Sequence, residues 1–315
     1  MTGKVAFIGL GAMGGPMAAN LIRAGVALTV FDRAPERLAI AVRAGGLAAR
    51  DVTDAAQDAD IVFTMLPAGA HVLEVLAGPS GVIETVRPGT IVVDMSTIAP
   101  AETDQLVDAC AAREIRFIDA PVGGLVSFAK AGTSTFMVGC DDESAFEMIR
   151  PLLDAMGTTI IRCGSAGTGV RVKVVNNLQA MSIAQITAEA LVLATCLGLD
   201  SEIVKQANAA STATNGQMQV NFPTKVLIGD IEPGFAIDLA YKDLSLALDV
   251  AAQHEVELPV GTAARSIYAD ARTHGHGRHD FSALLYHACE KAGVVPPRLN
   301  EGAGKFSRQR DVRQR

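Results

Sequence analysis

The sequence is poor in the residues that mark disulfide-rich, metal-binding or membrane proteins. Its 315 residues include no tryptophan, three tyrosines and five cysteines. No run reaches about 18 uninterrupted apolar residues, and MTGKVAFIGLG leads directly into a predicted strand, so neither a membrane span nor a signal peptide is expected. The cysteines are odd in number, scattered and without metal-type spacing, which predicts reduced, buried thiols and a cytoplasmic protein. They are Cys110, Cys140, Cys163, Cys196 and Cys289.

A strong positive charge is also missing. The formal net charge is −7, so no generally basic surface for nucleic acid is indicated. The exception is the stretch from Lys305 to Arg315, and we predict residues 298–315 to be a disordered, solvated basic tail. Hydrophobic residues make up 49% and charged residues 19%, which is typical of a soluble globular protein. The length exceeds the roughly 250 residues that one core usually serves, so two domains are expected.

The first half alternates short β-rich runs with alanine-rich helical segments. This alternation predicts an α/β fold, with an N-terminal Rossmann-type doubly wound, largely parallel sheet in residues 1–165. A glycine-rich break, CGSAGTG, ends this part. The predicted strands are 4–10, 27–32, 60–66, 90–96, 116–122, 133–139 and 158–164.

The second half reads as helical. Val170 to Leu197 contains no glycine or proline, and we predict a long interdomain helix within residues 166–197. An all-α C-terminal domain follows at 198–297, and the family resemblance described below implies that it serves substrate and oligomer contacts. Its predicted helices are 201–211, 238–254, 259–273 and 280–292.

A glycine pattern follows the first strand. Gly9, Gly11 and Gly14 suit a tight turn, close approach of the backbone to a pyrophosphate, and close helix–strand packing. The helix that follows offers free N–H groups to phosphates. Asp32, at the end of the second strand, is placed to accept hydrogen bonds from ribose hydroxyls and to repel a 2′-phosphate. We therefore predict NAD as the cofactor. The adjacent Arg33 partly offsets the repulsion of a 2′-phosphate, so the preference over NADP is moderate.

Two further strand ends face the same crevice, where ligands of open α/β sheets bind. Leu66 and Pro67 follow one strand, and Ser96 and Thr97 follow another. We predict that Leu66, Pro67 and Thr97 line the cofactor and that Ser96 contacts the substrate. Ordinary packing of these loops is the alternative for Leu66 and Thr97.

The long helix opens with a polar cluster. Lys173, Asn176 and Asn177 occupy positions i, i+3 and i+4 and share a face, whereas Arg171 points elsewhere and is predicted to be structural. A lysine placed in this way can donate a proton to a carbonyl oxygen or remove one from an alcohol. It can equally be an amide-capped lysine that joins two domains, and the pattern alone leaves both interpretations open.

The remaining polar groups do not indicate a metal site or a further catalytic site. His274, His276 and His279 lie in the glycine-spaced stretch HGHGRHD, which is more typical of a solvated turn than of a metal site, so no metal is predicted. Asp238, Asp243 and Asp249 are interpreted as surface partners of their helix. Neither a Ser-His-Asp arrangement nor a P-loop is present, so hydrolase and NTPase functions have no support.

Six motifs in order resemble the β-hydroxyacid dehydrogenase family over residues 4 to 295. The motifs are FIGLGAMGGPMAANL, MLP, DMST, DAPVGG, GTGVRVKVVNN and AYKDLSLALDVA. The resemblance implies that Lys173 is catalytic and that Asn177 binds the substrate. It also implies a homo-dimer or homo-tetramer. The cofactor positions that it implies are Ala12, Met13, Asp32, Leu66, Thr97 and Lys242.

The expected activity is NAD-dependent interconversion of a small β-hydroxy acid and its semialdehyde, as in 3-hydroxyisobutyrate dehydrogenase. Backbone amides at Gly123 and Gly124 are expected to bind the acid group, since the serine usual in such enzymes is missing at Gly123. One alternative is a sulfolactaldehyde reductase, although the arginine which that group carries is missing at Gly124. The other is a non-catalytic dinucleotide-binding sensor, against which the presence of both Lys173 and Asn177 argues.

Overall fold

The computed structural model describes residues 3–299. The predicted basic tail lies outside these residues except at its start. Arg298 and Leu299, predicted as its first residues, are bonded to the fold through the carbonyl oxygens of Val226 and Leu227 at 3.2 and 3.0 Å. The tail prediction therefore began too early by at least these two residues.

Nine strands form one sheet in the order β3-β2-β1-β4-β5-β6-β8-β7, with β9 paired to β8. The six strands from β3 to β6 are mutually parallel, β8 runs antiparallel to β6 and β7, and β9 is parallel to β8. The order 3-2-1-4-5-6 is that of a dinucleotide-binding Rossmann sheet, which confirms the predicted fold class. The strands are β1 Val5–Ile8, β2 Leu28–Phe31, β3 Leu47–Ala48, β4 Ile61–Thr64, β5 Ile91–Asp94, β6 Arg116–Asp119, β7 Val122–Gly123, β8 Ser134–Gly139 and β9 Gly157–Gly164.

Helices cover both faces of the sheet. Side chains of β1 alternate between two buried clusters: Val5 and Phe7 belong to one, Ala6 and Ile8 to the other. Burial on both faces explains why these strands are almost continuously apolar. The helices along this part of the chain are α1 Gly14–Arg23, α2 Pro35–Arg43, α3 Val52–Ala56, α4 Gly69–Ala77, α5 Val82–Thr85, α6 Pro100–Ala111, α7 Val126–Ala131 and α8 Glu143–Met156.

The rest of the described chain is helical, as predicted. The long helix α9 runs over Thr168–Cys196, so the period-two look of VRVKVV does not make a strand. The predicted helix 280–292 divides into a 3-10 turn at Phe281–Ala283 and an α-helix, and 259–273 ends earlier, in a π turn at Arg272–His276. The remaining helices are α10 Ser201–Ala209, α11 Phe222–Thr224, α12 Ile237–Gln253, α13 Pro259–Ala271 and α14 Leu284–Ala292.

The chain divides into two compact units. Among the described residues, the first comprises 3–181 and 238–266, and the second comprises 182–237 and 267–299. This division differs from the predicted one because residues 238–266, assigned by sequence to the helical domain, group with the sheet. Helix α12 supplies the reason, since its side chains bond to α9 and to the loops after β4 and β5, as described below.

Helix α9 is long and apolar enough to cross a membrane by length and composition alone. Core helices of soluble proteins pass the same test, and 39% of its most apolar window is buried in the fold. The absence of a membrane span accordingly stays a prediction.

Candidate active site

A cavity of about 800 Å³ lies beside the glycine turn in the first unit. That volume is in the range of cofactor and small-ligand sites. Four of the predicted cofactor residues line it, namely Gly9, Asp32, Leu66 and Pro67. The sheet order therefore brings together positions that lie up to 58 residues apart in the sequence.

The glycines of this turn have separate roles. Gly9 has φ +97°, and a Cβ there would lie 2.4 Å from the carbonyl oxygen of Met65. A Cβ on Gly14 would lie 2.0 Å from the carbonyl oxygen of Gly9, so neither position tolerates a side chain. At Gly11, by contrast, the nearest atom is Arg37 Nη1 at 4.0 Å. The backbone at Gly11 is thus open to a phosphate group, and the cradle fits a dinucleotide.

The remaining loop residues are available at the surface of the turn. Ala12 is exposed and Met13 half-buried, at the point where helix α1 begins. Helix α1 has no side-chain cap. Its first N–H groups therefore point towards the loop with their partial positive charge, which is the usual binding place of a pyrophosphate.

Asp32 fixes the turn as well as facing the cavity. Its carboxylate accepts hydrogen bonds from the backbone N–H of Leu10 at 2.7 Å and of Ala34 at 2.8 Å. Of the nearby cations, Arg33 Nη1 lies 3.8 Å from Glu74 Oε2, whereas Arg37 Nη1 lies 4.0 Å from Asp32 Oδ1. The cavity is lined by three acids and two arginines, so negative charge remains in excess beside β2.

The ends of β4 and β5 are locked together by buried hydrogen bonds. Asp94 Oδ1 accepts from the hydroxyl of Thr64 at 2.7 Å and from that of Ser96 at 2.6 Å. Ser96 Oγ in turn accepts from the N–H of Leu66 at 2.9 Å. The hydroxyl of Ser96 is thus engaged in holding the loop of Leu66, and its contact with substrate stays a prediction.

Lys242 joins the same loops from helix α12. Its ammonium donates to the carbonyl oxygens of Thr97 at 2.8 Å and Pro67 at 3.2 Å, and it lies 3.0 Å from Asp243 Oδ1. It is therefore not a freely solvated helix lysine. It bridges two of the predicted cofactor-lining positions, and its own contact with the cofactor stays a prediction.

Lys173 and Asn177 lie one turn apart on α9, and both are buried, with 9% and 3% of their surface exposed. Asn177 Nδ2 donates to Asp243 Oδ2 at 2.7 Å. Within residues 3–299 the Lys173 ammonium has no hydrogen bond or ion pair, which leaves it free for a ligand. Burial lowers the pKa of Lys173, while Asp243 opposes the shift and Lys242 adds to it.

The other polar residues of the cluster are not buried with this pair. Asn176, predicted on the same face, is instead exposed, and its Nδ2 donates to Asn177 Oδ1 at 3.4 Å. Arg171 pairs with Asp104 at 2.8 Å and donates to the carbonyl oxygen of Gly167 at 2.8 Å. Arg171 therefore ties the start of α9 to helix α6, in agreement with the structural role predicted for it.

Asp119, at the end of β6, fixes the start of α9. Its two carboxylate oxygens accept from the backbone N–H groups of Gly167 and Val170, each at 2.6 Å. A carboxylate at a helix N-terminus is favoured by the helix dipole. Burial nevertheless raises the pKa of Asp119 to about 6, against the effect of these two N–H donors. The residue sets the position from which Lys173 projects one turn later.

Gly123 and Gly124 lie at β7 and the turn that follows it. Gly124 has φ +109°, and a Cβ there would lie 3.1 Å from Phe128 Cβ. Position 123 has ordinary space, with Thr135 Cβ at 3.5 Å. Among the described contacts, neither glycine bonds to the group around Lys173, so their role in binding the acid stays a prediction.

Two interpretations of the sequence were wrong. Asp243, predicted as a surface partner, is 4% exposed and lies at the centre of the Lys173, Asn177 and Lys242 group. Burial raises the pKa of Asp243, although Lys242 and Lys173 pull it down. The available signal was its place next to Lys242 in AYKDL. His276, predicted in a solvated turn, is 7% exposed because it packs beside His287 of α14.

Two family models match the chain. One, described as the NAD binding domain of 6-phosphogluconate dehydrogenase, matches residues 4–164. The other, described as NAD-binding of NADP-dependent 3-hydroxyisobutyrate dehydrogenase, matches residues 167–288. Between them they include the glycine turn, the strand ends, Lys173 and Asp243.

Known proteins match over almost the whole chain. The 3-sulfolactaldehyde reductase of Escherichia coli (strain K12) is 41% identical over 92% of this chain and 97% of the relative. The NAD-dependent L-serine dehydrogenase of Pseudomonas aeruginosa is 39% identical over 89% of this chain and 96% of the relative. Among solved structures, Mycobacterium tuberculosis 3-hydroxyisobutyrate dehydrogenase with L-serine is 37% identical, has a TM-score of 0.83, and matches over 91% of this chain and 99% of its own.

Proposed function

The chain belongs to the β-hydroxyacid dehydrogenase family, and on that premise we propose that it interconverts a small β-hydroxy acid and its semialdehyde, with Lys173 as general acid and base. The oxidoreductase class and a nicotinamide dinucleotide cofactor follow from the family. The observation that carries the proposal is the buried Lys173, which has no hydrogen bond to residues 3–299 and lies one turn from an Asn177 that Asp243 holds in place.

These side chains suit proton transfer at an oxygen whose carbon gains or loses hydride. When bound, the nicotinamide supplies or accepts that hydride. Lys173 donates a proton to the carbonyl oxygen in reduction and removes it from the hydroxyl in oxidation, and its lowered pKa brings the neutral amine closer to the working pH. Asn177 orients the same oxygen without adding charge. Backbone amides at Gly123 and Gly124 bind the acid group of the substrate.

We propose NAD as the preferred cofactor. The Asp32 carboxylate faces the cavity, and Glu74 lies near Arg33, so a 2′-phosphate would meet net negative charge. A comparison of kcat/KM for NAD and NADP in the wild type and in Asp32→Ser tests this. We expect the wild type to favour NAD and the variant to lose much of that preference. An unchanged ratio would contradict the assignment.

Replacement of Lys173 tests the mechanism. We expect Lys173→Ala to lower kcat at least about 100-fold while NADH still binds, because general acid–base groups contribute factors of about 10²–10⁴. Arg171→Ala is the matched control, since Arg171 lies on the same turn but pairs with the exposed Asp104. Full turnover by Lys173→Ala, with NADH binding retained, would rule out the catalytic role.

A panel of substrates decides between the candidate acids. It comprises 3-hydroxyisobutyrate, glycerate, L-serine and 4-hydroxybutyrate with NAD, and sulfolactaldehyde with NADH. The similarity to 3-sulfolactaldehyde reductase makes a sulfonate the second candidate. Against it, Gly124 provides no cation and has a strained φ for any side chain. No change in NADH with any of these compounds, in a protein that binds NADH, would instead indicate a sensor.

We also propose that the protein is cytoplasmic and forms a homo-dimer or homo-tetramer. All five cysteines are free, which fits a reducing compartment. The exposed apolar side chains of α9 support the oligomer.

A further inference from the structure

Imidazole and carboxylate groups meet in the second unit, away from the residues assigned to the reaction. His276 lies in the π turn after α13, and His287 and Glu290 lie on α14. The ring centroids of His276 and His287 are 5.7 Å apart. One ligand atom from each of the three residues lies within 4.8 Å of the other two.

His287 has one nitrogen bonded and one without a partner. Its Nε2 lies 3.0 Å from Asp270 Oδ2, whereas Nδ1 is buried and has no hydrogen-bond partner among the described residues. Because a carboxylate accepts only, Nε2 carries the proton and Nδ1 holds a free lone pair. A buried acceptor without a partner is costly unless a ligand fills it.

His276 has a similar arrangement. Its Nε2 lies 3.0 Å from Glu290 Oε2, and its Nδ1 lies 3.3 Å from Nδ1 of His279. Two ligands of a tetrahedral zinc ion at about 2.0–2.1 Å stand about 3.3 Å apart, which is close to the separation of His276 Nε2 and Glu290 Oε2. His279 can then accept the Nδ1 proton of His276.

We propose that His276, His287 and Glu290 form a binding site for a divalent transition-metal ion of the zinc class. Two imidazole nitrogens and one carboxylate are a ligand set that zinc accepts, with water completing the coordination. Asp270 holds His287 from the opposite nitrogen, as outer carboxylates do around metal-bound histidines. The ion joins α14 to the turn after α13 and stabilises the second unit.

A neighbouring group, Asp270 with His274 and His287, meets the same distance criterion but is the weaker candidate. Asp270 is already paired with the ammonium of Lys291, which would repel a cation. His274 is exposed and its Nδ1 lies 2.8 Å from the carbonyl oxygen of Asp270. Because Asp270 already bonds to Nε2 of His287, Nδ1 is the nitrogen left for an ion, and the group with His276 and Glu290 is the stronger candidate.

Calorimetric titration with zinc chloride tests the site. The protein is full-length, free of a histidine tag and stripped with a chelator. It carries Cys163→Ser and Cys196→Ser because these two cysteines are the ones not fully buried. We expect about one ion per chain, a rise in melting temperature with zinc, and an affinity at least about tenfold lower in Glu290→Gln and in His276→Gln.

Matched controls separate this site from surface binding. Glu257→Gln and His254→Gln remove an exposed carboxylate and an exposed imidazole elsewhere, and both should bind zinc like the parent. Asp270→Asn should weaken binding by about 10–100-fold through the orientation of His287. No zinc binding by the parent would overturn the proposal. Equal binding by the parent, Glu290→Gln and His276→Gln, each folded by circular dichroism, would overturn it too.

Discussion

At the scale of single residues, Asp243 sets the electrostatics around Lys173. It is buried, accepts a hydrogen bond from Asn177 at 2.7 Å and raises the pKa of Lys173 against the effect of burial. In Asp243→Asn that support is lost, so the pKa of Lys173 falls further. Because oxidation needs the neutral amine, we expect the ascending limb of kcat/KM against pH to move to lower pH.

The measurement is the pH profile of hydroxy-acid oxidation for the wild type and the variant. Asp249→Asn, on the exposed side of the same helix, is the control and should leave the limb in place. A limb that moves to higher pH, or moves equally in both variants, would contradict the role of Asp243.

A second prediction at the scale of single residues concerns Asp119 and the pH dependence of the free energy of unfolding. Burial raises its pKa to about 6, so the folded state binds its proton more tightly than the unfolded chain, where the pKa is near 4. Its contribution is therefore fully present below about pH 4 and is lost as pH rises through about 6. The loss amounts to at most about 3 kcal/mol at about 1.4 kcal/mol per pKa unit.

Urea unfolding of the wild type and Asp119→Asn between about pH 4 and 7 measures this contribution. The variant leaves one of the N–H groups of Gly167 and Val170 without an acceptor, so we expect it to be less stable throughout. The gap in stability between the two proteins should narrow as pH rises. A gap that widens would show that the folded pKa is depressed instead.

At the scale of elements, two glycines of the same turn are expected to have different roles, Gly14 in packing and Gly11 in cofactor binding. Gly14→Ala places a Cβ 2.0 Å from the carbonyl oxygen of Gly9, and we expect it to lower the free energy of unfolding by about 1–3 kcal/mol or more. Gly11→Ala meets only open space, so its stability should change little while its affinity for NADH falls. Melting temperature and NADH fluorescence distinguish the two effects.

Gly216→Ala is the control for the glycine variants, since its Cβ has no neighbour within 4 Å and its φ of −64° suits alanine. Both properties should stay at wild-type level in this variant. Unchanged NADH binding in Gly11→Ala would remove the loop from the cofactor site.

The sequence predicted long and regular elements better than short ones. The first strands, the glycine turn and α9 were predicted because apolar runs, glycine spacing and a stretch without glycine or proline are local signals. The two-residue strands β3 and β7 were missed because Leu47–Ala48 and Val122–Gly123 are too short to show a period. Their strand geometry is imposed by pairing with β2 and β8.

Residues of the candidate site were predicted where a sequence motif and the chemistry of the side chains point to the same role. They were missed where the role depends on burial in the folded chain. Lys173 and Asn177 are one helical turn apart in the sequence, so their shared face could be derived. Asp243 could not be placed, because its neighbour Asn177 is 66 residues away and only packing of α12 on α9 brings them together. His276 was misjudged for the same reason, since His287 buries it.

At the scale of the whole molecule, one apolar surface is left uncovered by residues 3–299. Val175, Ile186 and Leu193 are 61%, 57% and 61% exposed, and at 100° per residue they share a face of α9. Exposed apolar faces of this kind mark association sites. We expect a second copy of the chain to cover this one, in a homo-oligomer.

Ile186→Glu and Leu193→Glu should therefore lower the molar mass measured by light scattering after size-exclusion chromatography, because a buried carboxylate without a partner opposes association. Val260→Glu, at a 72% exposed position on α13, is the control and should keep the wild-type mass. A lipid bilayer could also cover this helix. Lys173 and Asn177 would then have to enter the hydrocarbon region, which costs free energy for charged and polar side chains. A monomeric wild type, or one that sediments with membranes, would contradict the oligomer.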